Sequence, residues 1–77
     1  MNKIQTPESW TKKWLDSVAD GSYNMSSRKL TSIEKRGGGL KMAASLAKKR
    51  RVHLLLLEDD KGDQLVAASK KPFKIIT

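Results

Sequence analysis

The densest chemistry in the chain lies between positions 41 and 51, where Lys41, Ser45, Lys48, Lys49, Arg50 and Arg51 fall within one stretch of good helix formers. Lys41, Ser45 and Lys48 stand at i, i+4 and i+7, a spacing that brings them onto one face of a helix. Ammonium groups in such a row neutralise phosphates, and a hydroxyl among them can touch a base edge. Arg28 and Lys29 add two further cations upstream. No Asn or Gln occurs from Leu40 to Arg51, and the two Arg residues sit at the far end. Bidentate base reading is therefore poorly equipped, and the expected contact is with phosphates.

Other candidate chemistries are weaker. Arg36-Gly37-Gly38-Gly39 ahead of a helix could present backbone amides to an anion. It lacks the GK[ST] ending of a nucleotide-binding loop, and a plain turn is the preferred reading. His53 stands without a cysteine or a patterned carboxylate near it in sequence. Glu58, Asp59, Asp60 and Asp63 make up half of the acidic residues but lack the ligand spacing of a calcium loop, so they read as a solvated tip. Trp10 and Trp14 could stack on bases, although at helical spacing they read first as core. The expectation is a protein that is not an enzyme and has no cofactor and no metal.

Sixteen Lys and Arg against eight Asp and Glu leave a formal charge of +8 on 77 residues. A body that small carries a surface potential of several kT at that charge, and it attracts polyanions. A chain of this length buries only about 60–65% of its unfolded surface, enough for one modest core. With no cysteine, neither disulfides nor thiolate metal sites can hold that core. The first ten residues, MNKIQTPESW, lack the apolar core of a signal peptide, and the run from Leu54 to Leu57 is too short to span a bilayer. The expected setting is the cytoplasm, with no membrane partner.

These residues need elements to position them. Residues 1–5 read as a loose leader. Thr6-Pro7-Glu8 is a helix start, with a capping hydroxyl, proline in the first turn and an acid near the positive end. Helix 1 is expected to run to about Asp20, with Trp10, Trp14, Leu15 and Val18 as its apolar stripe and Gly21 as its left-handed stop. Ser22 to Met25 reads as a short extended piece able to pair with a hairpin edge. Ser26 or Ser27 is expected to cap a second helix reaching about Arg36, with Leu30 and Ile33 inside and Arg28, Lys29 and Lys35 outside. After the glycine turn, helix 3 is expected from Leu40 to about Arg51, with Leu40, Ala43, Ala44 and Ala47 facing the core and Leu46 nearby. Val52–Leu57 and Gln64–Ala68 read as a β-hairpin turning near Gly62. Both strands are apolar on both faces. One face can cover the helices, and the tail, residues 70–77, either covers the other or is free.

Helix, extended piece, helix, glycine turn, helix, hairpin is the element order of the winged-helix superfamily, which the chain resembles from Trp10 to Ser69. Through Leu30, Ile33, the Arg36-Gly37 turn and Leu40 with Leu46 it is also similar to small winged-helix modules found beside plasmid and phage replication proteins. The implied fold class is α+β, a single winged-helix domain with three helices followed by a β-hairpin wing. The resemblance implies that helices 2 and 3 form a helix-turn-helix, with helix 3 in the major groove and the 58–63 tip as the wing. The acidic tip departs from that pattern, because its carboxylates repel a phosphate backbone.

The expected function is binding of double-stranded DNA through helix 3, dominated by phosphates, as a regulator or replication accessory, with Arg28, Lys29, Lys41, Ser45, Lys48, Lys49, Arg50 and Arg51 as contacts. One alternative is a protein-interaction module, or a homodimer, using the apolar hairpin and the acidic wing. Another is binding to structured RNA.

Overall fold

A computed structural model describes residues 6–76. The element order is α1 (Pro7–Ala19), β1 (Met25–Lys29), α2 (Leu30–Arg36), α3 (Leu40–Lys49), β2 (His53–Glu58) and β3 (Gln64–Ser69). The three strands form one antiparallel sheet in the order β1-β3-β2. The chain is thus a small α+β domain, with three helices against one face of a three-stranded sheet. None of the described helices is long and apolar enough to cross a membrane.

The start of α1 follows its local chemistry. Thr6 is in the extended conformation, and its hydroxyl accepts the Ser9 N–H at 3.1 Å, satisfying one of the free donors of the first turn. The apolar stripe is buried at Trp14, Leu15 and Val18, and Trp10 is half-buried beside it. Gly21, at φ +87°, turns the chain out of the helix.

The sequence expectation for the next segment is corrected. Neither Ser26 nor Ser27 caps a helix; both lie in β1, paired in register with Ala68 and Ala67 of β3. Arg28 and Lys29 are strand residues too, opposite Val66 and Leu65. A serine pair offers a capping hydroxyl, but β3 would otherwise have one bare edge, and backbone pairing along it outweighs a single cap. Helix α2 consequently starts at Leu30, capped by Lys29 without any side-chain hydrogen bond.

The core joins Trp14, Leu15, Val18, Ile33, Ala43, Leu46, Ala47 and Val52 to Val66 and Ala68 of the central strand, with Leu54 packed at its margin. Here too the helix phase differs from expectation. Leu46 is buried with Ala43 and Ala47, whereas Leu40 and Ala44 are exposed. Two apolar stripes overlap on this helix, and the larger Leu46 takes the inside, because burying its side chain removes more apolar surface than burying Ala44.

Helix α3 ends at Lys49 rather than near Arg51. The Arg51 N–H bonds the Lys48 carbonyl at 3.2 Å and the Val52 N–H bonds the Ala47 carbonyl at 2.9 Å. With Arg51 at φ +57°, this is a Schellman closure in which Arg stands where Gly is preferred, and Val52 is buried just beyond it. In the hairpin, Asp59 Oδ1 accepts the N–H groups of Lys61 and Asp63, both at 2.9 Å, and Gly62 has φ +83°. One of the four acidic residues at the tip therefore builds the turn.

Residues 1–5, the expected loose leader, and Thr77 lie outside the described residues. Residues 70–76 carry no helix or strand; Phe73 is half-buried, and Ile75 and Ile76 are almost fully exposed.

Candidate nucleic-acid interface

On α3, Lys41, Ser45, Lys48 and Lys49 are all exposed, while Ala43, Leu46 and Ala47 on the opposite side sit in the core. At about 100° per residue, the outward face is centred on Lys41 and Lys48, with Ser45 beside them. Lys48 and Lys49 also lie in the last turn, where their charge complements the helix dipole.

Arg50 lies elsewhere. Its guanidinium pairs with Asp16 of α1 through Nε and donates from Nη1 to the Leu46 carbonyl at 3.1 Å, so it clamps the end of α3 onto α1. Its side chain is 16% exposed. Arg51 is exposed and, with Lys48 and His53, rims a groove of about 600 Å³ whose floor is Ala44, Ala47, Val52 and Leu54. The groove runs between α3 and the first residues of β2, beside the lysine row.

Arg28 and Lys29 are not outer residues of a helix, and they occupy different places. Arg28 lies on the helix side of the sheet, with its Cζ 6.0 Å from the centroid of the Trp14 ring. Its Nη1 donates to the Ser27 carbonyl at 2.7 Å and to Ser26 Oγ at 3.1 Å. Lys29 shares a depression with Leu30, Thr31 and Glu34 of α2 and with Gly62 and Asp63 of the hairpin tip. The acidic tip thus lies beside the start of α2. The tertiary structure gathers Lys41, Ser45, Lys48, Lys49 and Arg51 on and beside α3, and separates Arg28, Lys29 and Arg50 from them.

The glycine turn is tightly committed. The N–H groups of Gly37 and Gly39 both donate to the Ile33 carbonyl, at 2.8 and 3.0 Å, so neither is available to an anion. The Gly37 carbonyl accepts the hydroxyl of buried Thr11 at 2.8 Å. Sequence periodicity passes over Thr11, a polar residue within the stripe of α1, and its only visible signal is its place one residue from Trp10.

A second cluster lies between α1 and the segment leading into β1. Trp10, Lys13, Trp14, Ser17, Tyr23 and Arg28 line a depression of about 310 Å³. The two tryptophan rings are 6.2 Å apart between centroids and inclined by 50°. Trp14 Nε1 is buried without a hydrogen-bond acceptor among the described residues. The Tyr23 N–H donates to the Ser17 carbonyl at 3.1 Å, which ties Tyr23 to α1. Hydrogen bonding from Ser22, through its side chain and then its backbone N–H at 2.8 Å, holds the Asp20 carboxyl below the usual range.

Among the described residues no three His, Asp or Glu side chains converge in a way that could hold a metal ion. Comparison with known proteins finds no matching family model, no matching curated protein and no matching solved structure.

Proposed function

We propose that this chain is a winged-helix protein that binds double-stranded DNA by laying the outward face of α3 against the duplex, with affinity dominated by phosphate contacts. The observation that carries this reading is the division of α3 into a buried apolar side and an exposed side centred on Lys41, Ser45 and Lys48. The element order supports it, with β1 paired to the second hairpin strand and α2, the glycine turn and α3 in succession. Lys49 and Arg51 extend the cationic row. Arg50, paired with Asp16, contributes by holding α3 in place.

Four exposed cations without an ion-pair partner among the described residues, Lys41, Lys48, Lys49 and Arg51, correspond to a log–log salt slope of about −3.6 on duplex DNA. Fluorescence anisotropy on a labelled duplex at several salt concentrations measures it. A slope near zero with tight binding would overturn the phosphate-dominated mechanism. Lys41→Glu with Lys48→Glu is expected to abolish duplex binding while leaving the circular-dichroism spectrum and Tm nearly unchanged, because both side chains point into solvent. Retained binding by a folded double variant would move the interface off α3.

A second reading has its own observation. Met25, Leu55 and Leu57 are exposed and, by strand alternation, share the sheet face opposite the helices, where β2 is an edge strand. That face suits a protein partner or a second copy. Sedimentation equilibrium separates the two readings: a monomer that binds duplex supports the first, and a dimer weakened by Leu55→Lys supports the second.

A further inference from the structure

The depression beside α1 has the composition of a base-stacking site and uses none of the α3 residues. Its rim holds Tyr23, 59% exposed, and half-buried Trp10, and its floor holds Trp14, 3% exposed. Two cations, Lys13 and Arg28, stand beside the rings, and no carboxylate lines the site. Neither cation has a carboxylate partner among the described residues, where the only ion pair is Arg50 with Asp16.

We propose that this depression binds one unpaired nucleotide of a single-stranded nucleic acid, with the base stacked on Tyr23 and Trp10 and the phosphate held by Lys13 and Arg28. Every base has a π-face, and aromatic side chains beside cations recognise a single strand without reading its sequence. In a duplex those faces are occupied by neighbouring base pairs, so the site selects unpaired ends, bubbles or single strands. An apolar ligand would leave both cations without a role, and a bare anion would leave the rings without one.

The site is organised before any ligand arrives. Tyr23 is fixed by its N–H bond to the Ser17 carbonyl and by the turn at Gly21 and Ser22. Arg28 is steered across the Trp14 ring by its bonds to Ser26 and Ser27. The volume, about 310 Å³, falls at the small end of ligand sites and suits one nucleotide rather than a longer stacked run.

Both tryptophans line the depression, so their fluorescence reports occupancy directly. The probes are a deoxythymidine decamer, a uridine decamer, thymidine monophosphate, inorganic phosphate and a blunt duplex. The two decamers are expected to quench the emission saturably, the mononucleotide to quench it more weakly, and phosphate alone not to quench it. Similar affinity for the two decamers marks a site indifferent to the sugar, and unequal affinity assigns the strand to DNA or RNA. Tyr23→Ala is expected to weaken decamer binding about tenfold, with Tyr23→Phe restoring it. Lys13→Ala with Arg28→Ala is expected to reduce the single-strand salt slope by about 1.4. Duplex affinity should stay unchanged in Tyr23→Ala, so this proposal and the α3 interface fail separately. No quenching by either decamer, equal quenching by phosphate, or wild-type affinity in a folded Tyr23→Ala variant would each overturn it.

Discussion

Replacing Gly37 with Ala is expected to unsettle the joint between α1 and α2 on which the placement of α3 depends. Gly37 is buried and its φ is −106°, an ordinary value, so its need for glycine comes from contact rather than backbone strain. A Cβ there would overlap Thr11 Oγ1 and stand 2.8 and 2.9 Å from Cε3 and Cζ3 of Trp10. Neither neighbour can yield easily. Thr11 is fully buried and hydrogen-bonded to the Gly37 carbonyl, and the Trp10 ring leans on the core. Overpacking of this kind costs about 1–3 kcal/mol, and losing the buried Thr11 hydrogen bond adds about 1 kcal/mol or more. A 77-residue domain has about 4–12 kcal/mol in total, so a loss of about 2–4 kcal/mol is a large fraction. Urea unfolding followed by tryptophan emission measures it as a lower midpoint at unchanged m-value. Thr11→Ala in the same chain removes the overlapping atom, so the double variant should lose less than the sum of the single losses. A Gly37→Ala protein within about 0.5 kcal/mol of wild type would show that α1 and α2 are not in the contact described, and would refute the reasoning.

Arg51→Gly should raise stability by about 0.5–1 kcal/mol, read from the thermal midpoint, because it relieves a left-handed non-glycine residue at the end of α3; it should also lower duplex affinity by removing a cation. Asp59→Ala is expected to destabilise the hairpin by about 1 kcal/mol through loss of two backbone hydrogen bonds, whereas Asp60→Asn with Asp63→Asn should leave stability and, within threefold, duplex affinity unchanged at moderate salt. A large gain in affinity from the latter pair would place the tip against the duplex. The Asp20 carboxyl should titrate below its ordinary range and return towards it in Ser22→Ala, as followed by NMR; because the folded value is depressed, its stabilising effect is full above the unfolded carboxylate pKa and fades as pH falls through the folded one.

The two proposed interfaces rest on residues of unequal legibility. The row Lys41, Ser45, Lys48 follows from helical spacing alone, and the exposed face of α3 carries it as expected. The site beside α1 has no such spacing, because Lys13, Tyr23 and Arg28 come from a helix, a connecting segment and a strand. Only the pairing of β1 with β3 brings Arg28 over Trp14.

Local chemistry alone determined the two ends of α1, the glycine turn before α3 and the hairpin around Gly62, because caps, left-handed residues and strand alternation act within a few residues of one another. Tertiary contact decided what local propensity left balanced. Ser26 and Ser27 suit a helix cap as well as a strand, and the open edge of β3 drew them into β1. Leu40, Ala44 and Leu46 offered α3 two inward phases, and the core took the one that buries Leu46. Arg50 reads as one more cation in a basic run until Asp16, thirty-four positions earlier, pairs with it. In each case the competing local states differ by about 1 kcal/mol or less, and partners distant in sequence, which no window of neighbouring residues contains, supply the difference.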